Sequence, residues 1–172
     1  MDFFVNTIRW LSRVSGVVST LLILLSIFVV CQMIFIRAVL GQSSIWQTEF
    51  VTFALVAATF IGAPYILMTR GHVNVDLLPL MIGHGARRVL AVIAAGIGIF
   101  FCTLLLWNSL EWWHEAFAGN HVTSSMWRAR LWIPYLSVPV GMGLLCLQYV
   151  ADILCVITGR DLPFGLKPEE GL

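Results

Sequence analysis

The chain has 172 residues, 59% of them hydrophobic and 11% charged, with a formal net charge of +1. Soluble domains carry roughly 25% charged residues, so the composition excludes a water-soluble domain and indicates an integral membrane protein. No basic patch is present to support nucleic-acid binding.

The first element is an N-terminal stretch, MDFFVNTIRWLSR, with Phe4, Ile8 and Leu11 at helical spacing and Asn6, Arg9 and Arg13 elsewhere. It reads either as a short helix lying in the membrane interface or as an extension of the span that follows. That span, Gly16 to Ile36, has 21 residues. A signal-peptide core is roughly 7 to 15 residues, and no convincing small-residue cleavage site follows, so the segment is predicted to stay as the first membrane helix. The connection from Arg37 to Ile45 is short and makes the first two helices antiparallel neighbours.

The second span runs from Trp46 to Met68 and keeps a carboxylate, Glu49, one turn inside its start. Trp46 marks the interface, which places Glu49 roughly 4 to 5 Å below it. At that shallow depth a charge costs less than the roughly 2.5–3.5 kcal/mol of a central one. Arg37 lies across the short loop and is a candidate partner. Ala54, Ala58 and Gly62 form a small-residue ridge at i, i+4 and i+8, on the side of the helix opposite Glu49. Both faces are expected to be packed, one by this chain's bundle and the other by this bundle or a second subunit.

The next loop, TRGHVNVDLLPLMIGHGARR, is expected to hold a short interfacial helix. Asn74 or Asp76 would cap it, Pro79 would sit in its first turn and Gly83 and Gly85 would end it. A third span follows from Val89 to Trp107, with Ala94 and Gly98 as a close-approach site. The longest connection, NSLEWWHEAFAGNHVTSSMWRAR, carries Trp112, Trp113 and Trp127. Six of the seven tryptophans fall at this end of the spans. Indoles favour the headgroup zone at both faces, but that does not account for the asymmetry. The same aromatic surface also suits a docking platform for a protein partner. The fourth span, Ile133 to Ile157, opens with Pro134 in its first turn and Pro139 farther in, where a kink is expected.

Lys and Arg are unequally divided between the two sides of these spans, seven against three. The positive-inside rule then places both termini in the cytoplasm. The predicted fold is all-α: one four-helix integral membrane domain over residues 1–172, with spans near 16–36, 46–68, 89–107 and 133–157 and short interfacial helices.

Sites for chemistry are sparse. Glu111 and His114 form an E-x-x-H, but a di-iron bundle needs two copies and further glutamates, so a solvated helix face is the simpler reading. His72, His84, His114 and His121 lie in loops or at span ends, away from where a membrane haem needs its ligands. The four cysteines (Cys31, Cys102, Cys146 and Cys155) sit in apolar runs without C-x-x-C spacing and read as packing residues. No nucleotide loop or nucleophile motif appears. No catalytic residue, metal or cofactor is expected. Neither Glu49 nor Asp152 lies at mid-depth, where a transporter usually places its coordinating groups.

The order W-Q-T-E-F, then about 15 apolar residues, then G-A-P-Y-I-L-M-T-R-G-H-V-N-V-D-L-L, resembles the small membrane subunit of tripartite ATP-independent periplasmic (TRAP) transporters, the DctQ-like family. The later L-W-I-P-Y-L-S-V-P-V-G-M-G-L-L is similar to that family's fourth helix. Trp46 and Glu49 match the family's residues at the start of helix two, and Gly71, His72 and Asp76 match its Gly-His and following Asp. The resemblance implies a non-catalytic, multi-pass subunit of the bacterial inner membrane, in the separate rather than the fused form. It would scaffold a large permease subunit that carries the substrate and sodium sites. A soluble periplasmic protein would deliver an organic acid of dicarboxylate or sialic acid type. The competing readings are a small proton-coupled transporter using Glu49 and a membrane anchor for a redox enzyme.

Overall fold

A computed structural model describes residues 2–41, 45–69 and 84–157. The described residues form α1 (Asp2–Leu40), α2 (Trp46–Met68), α3 (His84–Ala118), α4 (Trp132–Tyr135) and α5 (Ser137–Ile157). Among the described residues, four segments are long and apolar enough to cross a bilayer, one overlapping each predicted span. The predicted helix after Asp76, and the Gly71, His72 and Asp76 motif with it, lie outside the described residues.

The helices extend beyond the predicted spans in two places. The N-terminal stretch is continuous with the first span, so α1 has 39 residues. At about 1.5 Å per residue that is roughly 58 Å, against about 30 Å of hydrocarbon. Likewise α3 runs on from the third span through Glu111, His114 and Glu115. Nothing in NSLEWWHEAFA breaks a helix until Gly119. There the Gly119 N–H bonds Glu115 O at 2.8 Å, and Asn120 turns left-handed at φ 46°, a common way for a helix to end.

The kink expected at Pro139 takes the form of a break. The proline ring crowds the carbonyl four residues back, and it has no N–H to offer Tyr135 O. The fourth span accordingly breaks between Tyr135 and Ser137 into α4 and α5. Ser137 Oγ donates to Pro134 O at 2.6 Å and takes up one of the carbonyls at the break.

The central helix is α5, which packs against α1, α2 and α3. We call the end where α1 begins and α5 finishes the terminal end, and the opposite one the tryptophan-rich end. Water does not drive helices together in lipid, so close packing and hydrogen bonds must do so. Small residues set each joint. Ser19 Oγ donates to Ala58 O at 2.7 Å, in space that a side chain at Gly62 would take. Gly16 accepts the ring of Tyr65, and Gly98 the ring of Tyr149. Gly141 of α5 lies directly against the backbone carbonyl of Phe60 on α2. Pro64 cannot donate a hydrogen bond to that carbonyl. Around this contact Cys102, Met142 and Leu145 form the core cluster, flanked by Phe60, Ala63 and Leu67.

Most other hydroxyls within the spans are satisfied by their own helix. Thr20, Ser26, Thr52, Thr59 and Thr103 each donate to the carbonyl four residues back, at 2.8–2.9 Å. The outward faces of α1 and α3 are apolar, with Val17, Leu21, Phe28, Ile93, Ile97 and Phe100 exposed.

Candidate functional site

Glu49 is half-buried on α2. Its Oε2 is buried and has no hydrogen-bond partner among the described residues. The sequence-suggested partner, Arg37, lies exposed in the last turn of α1, and no ion pair joins the two among the described residues. Trp46 is 39% exposed, so the residue marking the interface is open to the surroundings. The small-residue ridge faces inward: Ala54 is 6% exposed, Ala58 3%, and Gly62 is buried. Ala58 and Gly62 carry the α1 joint through Ser19, on the far side of α2 from Glu49.

The tryptophans at this end do different jobs. Trp113 stacks on Phe117 with ring centroids 5.6 Å apart, and Phe117 meets Trp132 edge-on at 5.8 Å. This ladder ties the end of α3 to α4, geometry that favours aromatic pairs. Trp113 Nε1 is buried without a hydrogen-bond partner among the described residues. Trp127 packs against Trp46 at 6.4 Å and joins the loop to the start of α2. Trp112 is 69% exposed and enters none of these ring contacts. Of the three docking candidates, Trp112 therefore presents the freest aromatic surface.

The loop between α3 and α4 is a compact hairpin-like turn. Val122 pairs with Arg130, Leu131 N donates to His121 O at 3.0 Å, and Thr123 N donates to Ala129 O at 2.9 Å. Thr123 Oγ1 accepts from Ala129 N at 3.0 Å. Arg128 takes a left-handed φ of 47°. Met126 projects from the tip, 90% exposed.

At the terminal end the structure builds a polar joint that the sequence reading did not assemble. Ser12 Oγ donates to Gln148 Oε1 at 2.7 Å, and Gln148 Nε2 donates to Asp152 Oδ1 at 2.9 Å. Gln148 is completely buried and Ser12 is 1% exposed. Arg9 reaches Cys155 Sγ at 3.8 Å beside them. The available signal was the i, i+4 spacing of Gln148 and Asp152 in an otherwise apolar helix. Gln47, 1% exposed, is a second buried amide that the reading passed over.

Most hydrogen-bonded polar side chains described within the spans thus serve as joints between helices or bond within their own helix, and the apolar surface left outside is extensive. Comparison with known proteins agrees with this architecture. The model of the family "Tripartite ATP-independent periplasmic transporters, DctQ component" matches residues 26–159. The chain is similar to the C4-dicarboxylate TRAP transporter small permease protein DctQ of Pseudomonas aeruginosa, 26% identical over 132 residues. That alignment covers 76% of this chain and 63% of the relative. The protein of the same name from Vibrio cholerae is 24% identical over 162 residues, covering 81% of this chain and 70% of the relative. The Rhodobacter capsulatus protein is 24% identical over 123 residues, with 72% and 54% covered. The chain therefore spans under two thirds of the Pseudomonas and Rhodobacter relatives. No solved structure matches it. The matched segment takes in less than half of α1 and all of α2 to α5, and the chain belongs to the DctQ component family of TRAP transporters, as a multi-pass transporter subunit and not an enzyme.

Proposed function

We propose that the chain scaffolds a large, sodium-coupled permease subunit, and that the pair imports an organic acid of dicarboxylate or sialic acid type. A periplasmic binding protein would hand the substrate over at the tryptophan-rich end. The chain would sit in the bacterial inner membrane with both termini in the cytoplasm, as the division of Lys and Arg favours. The observation that carries this reading is how the bundle uses its polar groups. Ser12, Ser19 and Gln148 bind one helix to another, which is what a rigid support needs and what a substrate pathway would have to disrupt.

On this reading the buried Oε2 of Glu49 receives its donor from the large subunit. A buried carboxylate oxygen without a donor is costly, and assembly would supply one. The test is co-purification of the large subunit, followed by uptake in liposomes. The wild-type chain should bring down the large subunit and support uptake only together with it. Glu49→Gln keeps a hydrogen-bond acceptor and should retain most of the partner, whereas Glu49→Ala should lose roughly tenfold in recovery. Uptake by this chain alone would overturn the scaffold role. Equal recovery with both variants would remove the role given to Glu49.

Trp112 is the residue to change for the docking surface, because removing Trp113 would also break the ladder to Phe117 and Trp132. Trp112→Ala should lower binding-protein-dependent uptake roughly two- to tenfold while the two membrane subunits still co-purify. Unchanged uptake would sink the docking role.

A further inference from the structure

A cavity of about 710 Å3 opens on the bundle between the first half of α2, the α3–α4 loop and the fourth span. The break at Pro139 accounts for its position. Gly141 and Phe60 hold α5 against α2 at one level. From there toward the tryptophan-rich end, the broken span and α2 line the two sides of a groove. Its walls are apolar: Phe53, Ala57 and Ile61 on one side, Ile133 and Val140 on the other. Its α2 lining runs from Phe50 to Ile61, about 16 Å along the helix. That is the depth of one bilayer leaflet, roughly 15 Å.

The lining also takes in two cations. Arg128 and Arg130, from the hairpin-like loop, border the groove beside Trp127. Both are exposed, and neither guanidinium hydrogen-bonds or ion-pairs with a described residue. Arg128 is held in a left-handed backbone conformation that L-residues rarely adopt, and its N–H is tied to Ser125 O at 3.2 Å. Such conformations persist where the surroundings fix them, often at binding sites. Trp46 and Trp127, in ring contact, set the headgroup level here.

A leaflet-deep apolar groove with two exposed arginines at headgroup level has the charge and shape of one ligand class. We propose that this groove binds an anionic phospholipid, with one acyl chain between α2 and the broken fourth span and the phosphate on Arg128 and Arg130. The guanidinium fork suits a phosphate, and basic pockets beside membrane helices bind lipid headgroups. The site depends on the membrane fold and is independent of which substrate the transporter carries.

The test places the full chain in vesicles of phosphatidylcholine and phosphatidylglycerol doped with a photoactivatable phosphatidylglycerol carrying its label in the acyl chain. Cross-links should concentrate on residues 50–61 and 133–140. Ala57→Trp, which fills the groove, should abolish them, while Thr59→Trp on the exposed side of the same helix should not. Arg128→Gln with Arg130→Gln alters only exposed side chains. It should lower groove labelling roughly ten- to thirtyfold and remove the preference over a photoactivatable phosphatidylcholine. Three results would overturn the site. They are labelling spread equally along the exposed face of α3, labelling indifferent to the arginine pair, and groove labelling that persists in a folded Ala57→Trp variant.

Discussion

A single methyl group added at Gly141 is expected to destabilise the bundle by about 1–3 kcal/mol, the usual cost of overpacking, and to fall at the upper end of that range. The reason is what the methyl would meet. A Cβ at Gly141 runs into the backbone carbonyl of Phe60, and a carbonyl cannot rotate away as a side-chain tip can. Pro64 removes the N–H that would otherwise hold that carbonyl along its own helix, and α5 lies closely over it. The control is two residues away. A Cβ at Gly143 meets nothing within 4 Å, so Gly143→Ala should stay within about 0.5 kcal/mol of wild type or gain slightly from helix propensity. Thermal unfolding of both variants in detergent makes the comparison. If Gly141→Ala melted with Gly143→Ala, the close approach of α2 and α5 would not exist. If the prediction holds, the same variant should also distort the groove floor at Ile61.

The spans were legible in the sequence because length and hydropathy alone identify a segment that can cross a bilayer. Their packing was only partly legible, and α1 shows why. Its buried face reads Val5, Ile8, Ser12, Ser15, Ser19, Ser26 and Val29, with Leu22, Met33 and Ile36 half-buried between and beyond them. These positions alternate by three and four residues, the seam of a left-handed helix pair. In a soluble protein an apolar stripe would have marked that seam. Here every face is apolar, and the informative residues are the small serines that let a neighbour approach. The same logic singled out Ala54, Ala58 and Gly62, and Ser19 lies against Ala58 and Gly62. The kink at Pro139 was legible because it follows from one ring and one missing N–H. The length of α3 was not, because the tryptophans of its last turns look like a headgroup marker whether the chain there is loop or helix.

At the candidate site, sequence proximity was a poor guide to pairing. Arg37 and Glu49 are separated by a short connection, yet Arg37 is exposed and Glu49 Oε2 remains without a donor among the described residues. Reading along the chain could not distinguish Trp112 from Trp113 either. On a helix, adjacent residues point about 100° apart, so one meets Phe117 and the other is left outside. Nor could the chain order reveal that Arg128 and Arg130 border a groove formed with α2. That neighbourhood exists only once the fourth span has broken.

The joint between Ser12 and Gln148 yields the second large effect. Gln148→Leu should destabilise the bundle by about 1–3 kcal/mol, because it removes both the acceptor for Ser12 and a donor to Asp152 in a site closed to solvent. Ser12→Ala alone should cost less, under about 1 kcal/mol, since it removes a short hydroxyl and leaves the Gln148–Asp152 bond in place. Because the two residues share one hydrogen bond, the double variant should fall short of the sum by about 0.6 kcal/mol, the average measured for such pairs between membrane helices. Equilibrium unfolding of the four proteins in mixed micelles closes the cycle. Additivity within about 0.3 kcal/mol would mean that the pair is not coupled. Coupling would have a consequence for the architecture. Ser12 lies before residue 26, where the family match begins, and Gln148 lies deep within it. The joint would then make the start of α1 a working part of the scaffold, fastened to the central helix by a buried hydrogen bond between two side chains.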